Sequence, residues 1–88
     1  MKPIKSVSSE GTAGPAYLRF SNEPVAQTEV WDDGNDVVVD FDAAGSVVGV
    51  ELVSVDPDVI EALVEIARRY ELDLSALVAR SFDASPVA

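Results

Sequence analysis

The sequence predicts an α+β domain: a four-stranded antiparallel β-meander covered on one face by a C-terminal helix and a second short helix. Three observations predict it. Apolar residues alternate with polar ones in several short runs between Ala16 and Val55, Asp, Asn, Gly and Pro punctuate those runs, and a helix-period apolar stripe opens at Asp56-Pro57.

The first alternation puts Ala16, Leu18 and Phe20 on one side of a strand and Tyr17, Arg19 and Ser21 on the other. Asn22, Glu23 and Pro24 form the turn after it. A second strand, from Val25 to Trp31, ends at Asp32, Asp33, Gly34 and Asn35, residues that tolerate the positive φ of a hairpin connection. The third strand, Asp36 to Asp42, turns Val37, Val39 and Phe41 to one face, and the fourth, Val47 to Val55, offers Val48, Val50 and Leu52 at the same spacing. Matching those faces pairs Phe41 with Val48, Val39 with Val50 and Val37 with Leu52, around a turn of Ala43, Ala44, Gly45 and Ser46. The opposite face then sets Val38 against Glu51 and Asp40 against Gly49, so only one side of the sheet demands an apolar cover.

That cover is a helix with Asp56 as N-cap and Pro57 at its first position, where a missing N–H costs nothing. Asp58 and Glu61 suit the positive end of its dipole, and Arg68 and Arg69 the negative end. Its apolar stripe of Val59, Ile60, Leu63, Val64, Ile66, Ala67 and Tyr70 is wider than one sheet contact requires. A second helix from about Asp73, bearing Leu74, Leu77, Val78 and Phe82, or a second subunit, is expected to complete the core. Residues 1–15, with only Ile4 and Val7 as sizeable apolar side chains after Met1, read as a flexible N-terminal tail, 16–83 as the single domain and 84–88 as a C-terminal tail.

Composition narrows the chemistry. The chain has no cysteine and no histidine, which removes disulfides, thiolate nucleophiles, imidazole bases and Cys/His zinc sites. Six basic against sixteen acidic residues give a net charge of −10, unfavourable for nucleic acid or an anionic membrane and favourable for a basic partner. The N-terminal stretch lacks the apolar run of a signal peptide, and nothing reaches the roughly 18 consecutive apolar residues of a membrane span. A cytoplasmic, non-enzymatic protein without cofactor or metal is the expectation.

The stretches Tyr17-Leu18-Arg19-Phe20-Ser21, Pro24-Val25-Ala26-Gln27-Thr28, Val38-Val39-Asp40-Phe41-Asp42-Ala43-Ala44-Gly45 and Val48-Gly49-Val50-Glu51-Leu52 together resemble the bacterial domain of unknown function family 2283. The resemblance covers about residues 16–55, and its most specific part is Asp-x-Asp-x-x-Gly followed by Val-Gly-Val-Glu-Leu. It implies a small β-rich module without an established activity, whose relatives are often encoded beside small basic proteins similar to toxin–antitoxin partners. The segment from Leu63 to Tyr70 and on through Leu74 to Val78 is faintly similar to the helices of ribbon-helix-helix proteins, but the preceding strand carries Glu51 and no basic residue with which to read DNA.

Two acidic groups invite a functional reading. Asp32, Asp33, Asn35 and Asp36 around Gly34 lack the alternating ligands and distal glutamate of a calcium hand and read as a turn. Asp40, Asp42 and Glu51 fall on the non-core face, where a surface ion pair with Arg19 is the plain account and a divalent-cation site the alternative. The residues expected at a protein interface are Trp31, Tyr17, Asp40, Glu51, Ile66 and Tyr70. The expected function is protein interaction, as an antitoxin-like partner of a basic protein or by self-association as a homodimer. The alternatives are a homo-oligomeric structural protein, a carboxylate-based metal site and an acidic mimic of nucleic acid.

Overall fold

The structure, a computed structural model, describes residues 1–9, 15–31 and 36–77. Among these residues seven strands and a long helix follow one another as β1 (Lys2–Pro3), β2 (Ser6–Ser9), β3 (Ala16–Arg19), β4 (Gln27–Val30), β5 (Val37–Phe41), β6 (Val47–Leu52), α1 (Pro57–Tyr70) and β7 (Leu72–Asp73). Residues 75–77 are helical as well. The α+β class is as expected, but the sheet is larger and differently ordered than a four-stranded meander.

Five strands make an antiparallel sheet in the order β2-β3-β6-β5-β4. Strands β4, β5 and β6 form a meander, whereas β3 pairs with β6 instead of with its sequence neighbour β4. The segment 20–26 therefore carries the chain from one side of β6 past β5 to the far edge. Segment 2–9, expected to be a flexible tail, supplies two strands. Ser6–Ser9 lies antiparallel to β3 at the sheet edge, and Lys2–Pro3 runs parallel to β7. An edge strand packs on one side only, so few apolar residues suffice, and Ile4 and Val7 both pack against the core.

The β5–β6 register matches the expectation at Val37–Leu52, Val38–Glu51, Val39–Val50 and Asp40–Gly49. It departs at the next step, where Phe41 pairs with Val47 across a bulge, leaving Val48 as the extra residue. The Val48 carbonyl accepts the amides of Phe20 at 2.7 Å and Ser21 at 3.2 Å, so the bulge anchors the end of β3. Beyond it, Asp42 Oδ1 accepts the amides of Ala44 and Ser46, both at 2.9 Å, and Gly45 closes the turn at φ 84°.

The core lies between one sheet face and α1. Leu18, Phe20, Val37, Val39, Phe41, Val47, Val50 and Leu52 from the sheet meet Val59, Leu63, Ile66 and Ala67 from the helix. Pro57 opens α1 as expected and Asp56 stands at its N-cap, but no side-chain bond caps the helix. The Asp56 carboxylate instead accepts the Ser54 hydroxyl at 3.2 Å. At the other end Glu71 takes the left-handed conformation and its amide bonds Ala67 O. The chain then turns into β7, which places Leu72 in the core with Leu74 and Leu77 beside it. The extra width of the helix stripe is met in this way from within the chain, except at Val64, which stays 42% exposed. Val78, Phe82 and the expected C-terminal tail lie outside the described residues.

Candidate functional site

Because α1 lies on one face of the sheet, the side chains that alternate with the core residues share the opposite face. Pairing across the strands sets Tyr17, Glu51, Val38 and Val30 in one row and Arg19, Gly49, Asp40 and Thr28 in the next. None of the described elements packs over these rows. This open face holds three of the six residues expected at an interface: Tyr17, Asp40 and Glu51.

The face is organised around Gly49. Tyr17 on β3 reaches across β6 and donates its hydroxyl to Asp40 Oδ2 on β5 at 2.8 Å. Thr28 on β4 donates to the other carboxylate oxygen, Oδ1, at 2.7 Å. Three strands besides β6 are thereby tied by one carboxylate. The reach is possible only because residue 49 has no side chain: a Cβ there would collide with the hydroxyl oxygen and Cζ of Tyr17. Partial burial, and then the bond to Asp40, push the Tyr17 pKa from 10.0 to about 12. The Arg19 guanidinium sits 5.5 Å from the centre of the Tyr17 ring and donates to Ser21 O at 3.3 Å.

The expected carboxylate trio does not converge. Asp40 is satisfied by Tyr17 and Thr28, Asp42 holds the turn that follows β5, and Glu51 is exposed without an ion pair among the described residues. Among those residues no group of three or more acidic side chains is placed to hold a metal ion. Of the acidic turn 32–36 only Asp36 is described.

The other expected interface residues lie at the helix side of the molecule. Ile66 is fully buried in the core and so belongs to no surface, because the stripe it occupies is the one that faces the sheet. Tyr70 is partly buried, edge-on to Phe41 with centroids 5.5 Å apart and to Trp31 at 6.3 Å. Trp31, partly buried too, has Arg69 5.8 Å from its ring centre and flanks a cleft of about 250 Å³ whose other walls are Asp58, Glu61, Ala62 and Glu65. Packing at the core's edge thus accounts for both rings. Where helix 75–77 begins, the Ser75 amide donates to Asp73 Oδ1 at 2.9 Å, and this bond holds the Asp73 carboxyl below its ordinary range.

Sequence reasoning noted that Gly49 stands opposite Asp40 but missed what fills the space. A glycine in the middle of a paired strand, with a tyrosine on the neighbouring strand, was the available signal.

Fold and face together define a small α+β module with an open, partly apolar sheet face. Residues 16–55 match the family described as protein of unknown function (DUF2283), the stretch that contains Tyr17, Thr28, Asp40, Gly49 and Glu51. The match ends before residues 63–78, and the expected similarity of that segment to ribbon-helix-helix proteins finds no support in it. No curated protein and no solved structure matches the chain. Among the described residues no helix is long and apolar enough to cross a membrane.

Proposed function

We propose that this protein acts by contact, as a protein-interaction module that binds a basic partner in the manner of an antitoxin. The observation that carries the reading is the open sheet face, which is held in shape by Tyr17, Thr28 and Asp40 although nothing described packs on it. A net charge of −10 favours encounter with a basic protein over an acidic one. Among the described residues the face brings together no convergent nucleophile, base or ligand set, and its mixture of partly exposed valines, an aromatic ring and a carboxylate without an ion pair suits recognition.

Co-expression of the full chain with the products of its neighbouring reading frames tests this. A small basic protein is expected to be retained through purification and released by high salt. Retention of no protein by the wild-type chain would overturn the reading.

A further inference from the structure

We propose that Glu51 is the anchor of the open face and takes a lysine or arginine that the partner presents from an otherwise apolar surface. The inference rests on the reading above, that the chain binds a basic partner. Asp40 and Glu51 are the two carboxylates in the paired rows of that face, and they differ in one decisive respect. Both oxygens of Asp40 are occupied by Tyr17 and Thr28. Glu51 is exposed and has no ion pair among the described residues, and no hydroxyl there fixes its carboxylate as Tyr17 and Thr28 fix that of Asp40, so it is the one free to turn toward a partner.

Its surroundings sharpen the choice of partner. Tyr17 and Val38 stand opposite Glu51 on either side, Val30 lies one strand further out at 52% exposure, and Val53, one step past β6 on the same alternation, is 46% exposed. A carboxylate bordered by valines and an aromatic ring is matched by a cation with apolar borders, because covering the valines removes water from the ion pair and strengthens it. Arg19, the cation in the neighbouring row, is drawn toward Ser21 O and the Tyr17 ring, leaving Glu51 to the partner. The acidic residues on α1 stand in a different setting: Asp58, Glu61 and Glu65 crowd one cleft with Trp31 and Ala62, and Glu65 shares a second with Arg68 and Arg69.

Titrating the full isotope-labelled chain with an amphipathic leucine–lysine peptide, and separately with hexalysine, tests the proposal by backbone amide shifts. The amphipathic peptide is expected to move the amides of Val30, Val38, Glu51 and Val53, and to bind E51Q about tenfold more weakly while E61Q changes it less than about twofold. Hexalysine, a purely ionic probe, is expected not to distinguish the two variants. Both substitutions are at exposed positions and remove the same charge, so unequal effects report location and not net charge. Shifts centred on residues 58–65, equal losses in E51Q and E61Q, or no binding of the amphipathic peptide would each overturn the assignment. A basic neighbour still retained by the wild-type chain would in those cases leave the contact reading standing, whereas failure of that retention strikes the reading itself.

Discussion

The two faces of the five-stranded sheet are built from the same strands, and valine is common on both, yet they are held together by different physics. On the covered face Val37, Val39 and Val50 are completely buried against α1, so order comes from the release of water and close packing. On the open face one carboxylate receives hydroxyls from two other strands, and a glycine leaves room for the ring that delivers one of them. The covered face stabilises the fold. The open face keeps a defined shape with little apolar burial, which is what the proposed contact surface requires.

The contrast predicts the largest losses under the helix. Leu63→Ala should cost about 2–5 kcal/mol, because a fully buried leucine leaves both a transfer loss and a cavity. In a domain whose entire stability is expected to be about 5–15 kcal/mol, that is a large share. Urea unfolding followed by circular dichroism measures it; a loss below about 1 kcal/mol would mean that α1 is not the cover on which the sheet depends.

Gly49 should give the next largest effect, and by a different mechanism. Gly49→Val forces the Tyr17 ring off Asp40, at about 1–3 kcal/mol for the overpacking and the broken bond together. Adding Tyr17→Ser to the same chain removes the obstructing ring, so the double variant should lose less than the sum of the two single ones. Strict additivity would show that the ring is not what glycine accommodates.

The tyrosine network also has a pH signature. Tyr17 ionises at about 12 in the folded chain against 10.0 ordinarily. Its contribution to stability is therefore complete below pH 10.0 and is lost as pH rises through about 12, since the unfolded chain gives up the proton first. Tyrosinate absorbance should show one tyrosine titrating late, and Asp40→Asn should bring it back toward 10.0 by removing the charge that opposes ionisation. An unchanged titration in that variant would assign the delay to burial alone.

Legibility followed locality. The β5–β6 hairpin could be read because two alternations and a glycine turn constrain one another, and four of its pairs follow from matching apolar faces. The fifth pair could not, because a bulge adds a residue without interrupting the valines that surround it. The partner of β3 was hidden for another reason: sequence neighbours usually pair, but nothing in Asn22 to Ala26 says whether the chain turns back or crosses to the far edge. The N-terminal strands were hidden by their polarity, which an edge permits and a central strand would not. At the site, Asp40, Glu51 and Tyr17 could be placed on one face by parity, while the bond from Tyr17 to Asp40 depends on which strand lies next to β6.

The smallest effect of all is expected at Val30, and it is read by making the same substitution on both faces. Valine to threonine preserves shape and exchanges a methyl for a hydroxyl, so it reports only whether the position is dry. Val50→Thr, at a wholly buried site in the central strand, should cost about 1–3 kcal/mol because the hydroxyl is buried among aliphatic side chains. Val30→Thr, at 52% exposure on the outer strand, should fall within about 0.5 kcal/mol of wild type. Chemical denaturation of the pair measures the difference directly. A Val30→Thr chain as unstable as Val50→Thr would mean that the outer face is already covered in the free protein. If stability is unchanged, loss of the leucine–lysine peptide from Val30→Thr would show that this valine serves contact with a partner and contributes nothing measurable to the fold.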